Sequence, residues 1–418
     1  MLLGAIADDL TGATDLALML SKEGMRTVLQ VGHVTDMADA DAVVVALKSR
    51  TIPSADAVRQ SLTAARALLA AGAGQLYFKY CSTFDSTQAG NIGPVAAALR
   101  DLVGAPIAIA CPALPVNGRT VYRGHLFVGD QLLSDSPMKH HPLTPMTDAN
   151  LVRVLGAQTD IPVGLVGHRV VATGPDAVSQ ALDGLARDGH GFAIMDAISD
   201  DDLRTIARAV SSMPLVTGGS GLAIGLPQAF REAGRLVPAR QHDHAPPAGR
   251  GLVLAGSCSA ATRRQVAAAL EAGLPTLRLD PAALAERRLS VEQVLSWIMA
   301  QDPTLVPVVY SSAAPEEVTA TQQRLGREAA GELIEEFLSQ VAVAAFDQGF
   351  TRIVVAGGET SGAVVNALGV HTLTIGPEIA PGVPWTTGSK AGRPIALALK
   401  SGNFGDDRFF MTAWEQPL

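Results

Sequence analysis

Two stretches carry most of the side chains that could do chemistry. In IADDLTGATD, residues 6–15, an apolar run gives way to adjacent carboxylates at Asp8 and Asp9, then to Thr11 and Gly12. In FKYCSTFDSTQAGNIG, residues 78–93, another apolar run gives way to Lys79, then to Ser82, Thr83, Asp85, Ser86, Thr87 and Asn91. Carboxylates at the end of a parallel strand stand where ligands of open α/β sheets bind. One aspartate suffices to cap the next helix, so the second needs another use, such as proton transfer or metal contact. The hydroxyl-rich stretch suits a polar turn, but its density of donors and acceptors matches a small polyhydroxylated acid better. Lys79 supplies a compact charge for the acid's carboxylate, and Asp85 or Asp9 would orient or deprotonate an attacking hydroxyl.

A third stretch, VNGRTVYRGHLFV at residues 116–128, brings Arg119 and Arg123, a pair suited to a bidentate carboxylate clamp. His125 is a candidate proton carrier, although an isolated histidine is more often a satisfied structural group. The tract SDSPMKHHPLTPMTD, residues 134–148, reads as a lid or as a long surface loop.

The C-terminal half offers a different chemistry. LVLAGSCSAATRRQVAAAL (252–270) and VVAGGETSGAVVNALG (354–369) each read as strand, small-residue turn and helix, and KSGNFG (400–405) leaves a last strand through two glycines. Glycines let a backbone approach a phosphate, and the helix starts add free N–H groups. Ser257, Ser259, Gly357, Gly358, Glu359, Thr360, Ser361, Ser401, Gly402 and Asn403 are therefore the expected phosphate-side residues. No GxxxxGK[ST] occurs, and TGGSGLAIG from Thr217 misses the dinucleotide fingerprint by one place, which disfavours a dehydrogenase.

The elements that must position these groups alternate along the chain. Strands are expected at Leu2–Ala7, Val43–Leu47, Leu76–Phe78, Ile107–Cys111, Val163–Val166 and Pro214–Thr217, with helices at Asp56–Ala71 and Asp176–Asp188. QHDHAPPAG, Gln241–Gly249, breaks the pattern as a linker would. Strands resume at Leu252–Ala255, Val306–Tyr310, Ile353–Val355, Thr372–Ile375 and Ile395–Leu399. The pattern predicts an α/β protein of two domains, residues 1–242 and 250–418, each a mostly parallel sheet flanked by helices, with a cleft between them.

Bulk properties narrow the class. At 418 residues, 48% hydrophobic and 17% charged, the chain is globular and too long for one ordinary core. Its net charge of −8 argues against nucleic acid as a partner. No apolar run is long enough to span a membrane, and MLLGAIADDL lacks a basic leader. Three scattered cysteines, Cys81, Cys111 and Cys258, suit a reducing compartment, so a cytoplasmic protein is expected. A homo-oligomer is compatible with all of this.

Taken together, ADDLTGA, STFDST…GNIGPV, CPALPVNGRTVYRGHLFV, AGGETSGAVV, IGPEIAPGVPW and LKSGNFG resemble the four-carbon acid sugar kinases, in order and over nearly the whole chain. The resemblance implies an N-terminal domain for the sugar acid and a C-terminal domain for ATP, with Mg²⁺ bridging the phosphates. It adds Gly376, in IGPEIAPGVPW, to the ATP-side residues. It also implies transfer of the γ-phosphoryl group to a terminal 4-hydroxyl. Kinases of threonate and erythronate in this family tend to carry an arginine where this chain has Ala89, which points instead to a 3-oxo-tetronate. Phosphorylation of threonate or erythronate is the alternative, and a non-catalytic sugar-acid sensor is a further one.

Overall fold

The computed structural model describes residues 1–32, 39–141, 144–237, 247–313 and 326–415. It divides into two units, Met1–Gln241 and His242–Leu418. Of the expected linker, residues 241–246 lie outside the described residues.

In the N-terminal unit the chain forms β1 (Leu3–Ala7), β2 (Thr27–Val31), β3 (Ala42–Ala46), β4 (Gln75–Lys79) and β5 (Ala108–Cys111). A small antiparallel sheet follows, built from β6 (Arg119–Tyr122), β7 (His125–Val128) and β8 (Gln131–Leu132). The main sheet then resumes with β9 (Val163–Val166), β10 (Phe192–Met195) and β11 (Leu215–Gly218). Its order is β2-β3-β1-β4-β11-β5-β10-β9, with every pair parallel. Strands buried on both faces are apolar throughout, which is why LGAIA and AVVVA read as unbroken hydrophobic runs. The chain passes from β1 to β3 on one side and then to β4 on the other. That reversal opens a crevice beyond the carboxyl ends of these strands, where ligands of open α/β sheets bind.

The C-terminal unit contains β12 (Gly251–Ala255), β13 (Thr276–Arg278), β14 (Val308–Tyr310), β15 (Arg352–Ala356), β16 (Thr372–Ala380), β17 (Val383–Lys390) and β18 (Arg393–Lys400). Their order is β13-β14-β12-β15-β18-β17-β16, parallel from β13 to β18 and antiparallel through β17 and β16. Trp385, Phe409 and Phe410, together with Val253 and Val354, form the apolar core here.

The α/β class and mostly parallel sheets are those expected, and the foreseen strands shift by one or two residues at most, except β16. β16 runs on to Ala380, and β17 (VPWTTGSK) was not foreseen. These antiparallel strands are partly exposed and interrupted by Gly376, Pro384 and Gly388, so neither alternation nor an apolar run marks them. The 134–148 tract carries a 3₁₀ turn at Pro137–His140, with residues 142–143 outside the described ones. Among the described residues, no helix is long and apolar enough to cross a membrane.

Candidate functional site

In the N-terminal unit, three neighbouring strand ends deliver the charged groups. Ala7 of β1 is in register with Ala46 of β3 on one side and Lys79 of β4 on the other. Asp8 and Asp9 follow β1, the loop to Arg50 follows β3, and the hydroxyl-rich stretch follows β4. Arg50 was not foreseen, and it organises the cluster. Its Nε donates to Asp8 Oδ2 at 2.9 Å and its Nη2 to Asp8 Oδ1 at 2.8 Å. Nη2 also lies 2.8 Å from Asp9 Oδ1. Burial pushes the Asp8 carboxyl above its ordinary value, and the charge of Arg50 pulls against that rise.

Asp9 caps the helix Leu10–Lys22, accepting from the Gly12 N–H at 2.9 Å. One carboxylate oxygen thus takes both the helix cap and Arg50, and among the described residues Oδ2 has no hydrogen-bond partner. Gly12 is required here, because a Cβ would overlap Asp9 Oδ1 and stand 2.9 Å from Lys79 Nζ. Lys79 is buried and donates to the Tyr80 carbonyl at 2.8 Å. Its ammonium therefore lies beside the aspartate cluster. Thr11 sits half-buried in the first helical turn.

The loop after β4 is held from inside. Phe84 is fully buried, packs edge-on against Tyr80, and takes φ +51°, a left-handed conformation unfavourable for an aromatic residue. That turn presents Asp85, whose Oδ1 accepts from Thr83 Oγ1 at 2.6 Å. Among the described residues Asp85 Oδ2 has no hydrogen-bond partner, and Ser82, three residues earlier, is half-buried. Burial pushes the neighbouring Cys81 thiol up to about 11, so it is protonated at neutral pH and no nucleophile.

Two residues of this stretch serve the scaffold. Ser86 is buried and its Oγ accepts from Gln158 Nε2 at 2.9 Å. Asn91 Nδ2 donates to the carbonyls of Ser49 (2.8 Å) and Ile52 (2.9 Å), while its Oδ1 accepts from Ser54 Oγ. Asn91 therefore pins the loop that carries Arg50.

The hairpin residues form a separate group. Arg119 donates to the Asn117 carbonyl, Arg123 is exposed, and His125 engages the Arg123 carbonyl and Asn150. Buried Asp196 anchors this hairpin by accepting from the Arg123 and Gly124 N–H groups at 2.7 and 2.8 Å. None of the described hydrogen bonds or ion pairs joins Arg119 to Asp8, Asp9 or Asp85.

In the C-terminal unit, register again creates the site. Ala255 pairs with Ala356, and Ala356 with Lys400, so the three glycine-containing turns leave adjacent strands side by side. Ser259 caps the helix Ala260–Glu271, and its Oγ also donates to the Gly402 carbonyl at 2.6 Å. A Cβ on Gly402 would overlap Ser257 Oγ and stand 3.0 Å from Ser259 Oγ. Gly357, at φ +130°, starts the next helix, and its Cβ position is 3.2 Å from the Ser257 N–H. Ser312, which was not foreseen, steadies the first turn by donating to the Ser257 carbonyl at 2.6 Å.

Gly358 and Thr360 lie in the first turn of the helix Gly358–Leu368; Glu359 and Asn403 are exposed and Ser401 is half-buried. Ser361 Oγ is buried with no hydrogen-bond partner among the described residues. An orphaned hydroxyl costs about 1–3 kcal/mol unless a ligand or water meets it. Gly376 is not in the cradle; it lies within β16 against the Trp385 carbonyl, at a shift in register.

Glycines without room for a Cβ, two helix starts and an orphaned hydroxyl fit a polyphosphate. Among the described residues no group of three or more His, Cys, Asp or Glu gathers to hold a metal ion. Mg²⁺ that travels with a nucleotide takes phosphate and water ligands and asks little of the protein.

Fold and site together define a two-domain kinase, with a sugar-binding sheet unit followed by a nucleotide-binding one. Residues 3–226 match the family of the sugar-binding N-terminal domain, and residues 252–410 that of the nucleotide-binding C-terminal domain. The chain belongs to the four-carbon acid sugar kinase family. It is 54% identical to the 3-oxo-tetronate kinase of Pseudomonas fluorescens, over 99% of this chain and 97% of that protein. It is 56% identical to the 3-oxo-tetronate kinase of Burkholderia multivorans, over 98% and 96%. Among solved structures, a Salmonella typhimurium LT2 chain superposes with a TM-score of 0.90 at 41% identity, covering 100% of this chain and 99% of that one. A Haemophilus influenzae chain gives 0.83 at 42% identity, covering 99% and 100%.

Proposed function

We infer that this protein is an ATP-dependent kinase that transfers the γ-phosphoryl group of ATP to the 4-hydroxyl of a 3-oxo-tetronate, giving the 4-phosphate. The observation that carries this reading is the pairing of two chemistries in one chain. A carboxylate–arginine–lysine cluster beside a hydroxyl-rich loop occupies the first domain, and a glycine–serine cradle occupies the second.

Phosphoryl transfer asks the protein mainly to align the hydroxyl with the γ-phosphate and to neutralise charge. Lys79 and Arg50 offer cations for the acid's carboxylate and oxo group, and Ser82 and Thr83 offer hydroxyls. Among the described residues, Asp85 and Asp9 both present a carboxylate oxygen without a hydrogen-bond partner. Asp9 already shares its charge with Arg50 and a helix start, whereas among the described residues Asp85 meets the neutral Thr83 hydroxyl alone. Asp85 is therefore assigned to the 4-hydroxyl proton, and Asp9 to holding Arg50 and the helix start in place. In the cradle, Ser257, Ser259, Thr360, Ser361 and Gly402 would receive the phosphates, with Mg²⁺ arriving on them. The working compartment is the cytoplasm, in keeping with three free cysteines.

The test is ADP release on mixing the protein with Mg²⁺–ATP and each acid in turn. Release with a 3-oxo-tetronate supports the reading. Release only with threonate or erythronate moves the chain to the sister activity, and acid binding without ADP release makes it a sensor.

A further inference from the structure

β18 ends on Lys400, whose side chain is entirely buried beneath the cradle. Its Nζ donates to Thr262 Oγ1 at 3.2 Å and to the carbonyls of Ser401 and Gly402, each at 3.1 Å. All three acceptors are neutral. The carboxylates of the adjoining segment are bonded elsewhere: Asp407 pairs with Arg264 at 2.7 Å, and Asp406 accepts from the Arg408 N–H at 3.0 Å. From the helix Ala260–Glu271 the polar groups packed against this turn are Thr262 and Gln265, and Gln265 donates to the Phe404 carbonyl. From β15 the neighbouring chain brings only backbone, the Gly357 N–H donating to the Lys400 carbonyl at 2.9 Å. Among the described residues no carboxylate is bonded to this ammonium; a buried ammonium without a counter-ion is unfavourable, and burial here lowers its pKa to about 7.

We propose that Lys400 is a positioning residue for ATP: it ties the Ser401–Gly402 turn to Thr262 and becomes fully charged under the cradle when the polyphosphate arrives as its counter-ion. This rests on the cradle being the ATP site. Two consequences separate it from a purely structural lysine. Binding should draw a proton onto Nζ, since a polyanion favours the charged form. Removing the amine should also harm nucleotide binding while sparing the fold, because in the bare protein burial disfavours the charged form and the amine meets only neutral acceptors among the described residues.

Calorimetry of the full chain with ADP and with ATP at pH 8, in buffers of different ionisation enthalpy, reads the first consequence. Wild type is expected to take up a fraction of a proton per nucleotide. Lys400→Arg, which stays charged throughout, is expected to take up none and to keep affinity within about threefold. Lys400→Met is expected to lose tenfold or more in ATP affinity, with an unchanged or higher Tm and an unchanged KM for the sugar acid.

Equal proton uptake by wild type and Lys400→Arg, or none by wild type, overturns the proposal. So does a Lys400→Met protein with wild-type ATP affinity, or one that loses Tm and affinity for both substrates together. If Lys400→Met does not fold, the Lys400→Arg calorimetry still decides. Wild type that binds no nucleotide at all would instead sink the assignment of the cradle.

Discussion

Arg50 Nη2 lies 2.8 Å from Asp9 Oδ1, on the carboxylate oxygen that also accepts the Gly12 N–H, while the same guanidinium grips Asp8 through Nε and Nη2. Adjacent aspartates next to an anionic substrate would repel it. Arg50 eases that conflict by offsetting one of the two charges, with the Lys79 ammonium close enough to offset the other, and it engages the Oδ1 of Asp9.

Taking Arg50 away should therefore leave a buried carboxylate without its partner. Breaking a fully buried pair costs about 3–5 kcal/mol, and the partial exposure of Arg50 puts Arg50→Gln nearer about 2 kcal/mol at neutral pH. The sign with pH follows from Asp8. A carboxyl raised by burial binds its proton more tightly folded than unfolded, so it destabilises the fold as pH rises through its folded value. The Tm deficit of Arg50→Gln should grow as pH rises above the ordinary carboxylate range and shrink as pH falls back towards it. A deficit independent of pH in thermal melts would contradict this account.

Asp85→Asn keeps the shape of the loop and removes the charge that meets the hydroxyl. Base contributions of ~10²–10⁴-fold set the expected fall in kcat, with KM for ATP nearly unchanged. Asp9→Asn should lose activity together with stability, because it weakens the cap and the hold on Arg50. Steady-state kinetics beside thermal melts separates the two; full kcat in Asp85→Asn with loss in Asp9→Asn would pass the base role to Asp9.

Gly402→Val should raise KM for ATP by about tenfold or more, on the order of 1.4 kcal/mol, with KM for the sugar acid preserved. The side chain has no room, since its Cβ already meets Ser257 and Ser259. Gly362 is the control: nothing lies within 4 Å of its Cβ position, so Gly362→Ala should leave ATP kinetics alone and stabilise its helix by roughly 0.5–1 kcal/mol. Equal ATP kinetics in a folded Gly402→Val protein would remove that turn from the site.

Substrate choice is read from competing acids. Turnover of a 3-oxo-tetronate should exceed that of threonate or erythronate by at least about tenfold, on the order of 1.4 kcal/mol of discrimination in the transition state. The motivation is Ala89, which leaves the loop after β4 without a basic contact. Equal or reversed values of kcat/KM would reject it.

Local pattern alone determined a good part of this protein. Apolar runs marked most of the parallel strands, though β2, β10 and β13 were not foreseen. The residues just beyond the marked strands (Asp8, Asp9, Asp85, Ser257, Gly402) were legible as candidates because strand ends are where such sheets place ligands. Antiparallel β17, buried at Val383–Thr386 but interrupted by Pro384 and Gly388, left no such mark. Which groups meet was decided only in three dimensions. Arg50 reaches Asp8 from 42 residues away, and Lys400 reaches Thr262 across 138. Asn91, expected at the substrate, is drawn instead to the carbonyls of the Ser49–Ile52 loop, and Gly376 to a strand. The physical reason is that strand order and register set these encounters. They arise from burial summed over whole sheets, whereas a sequence window records only the preferences of its own few residues.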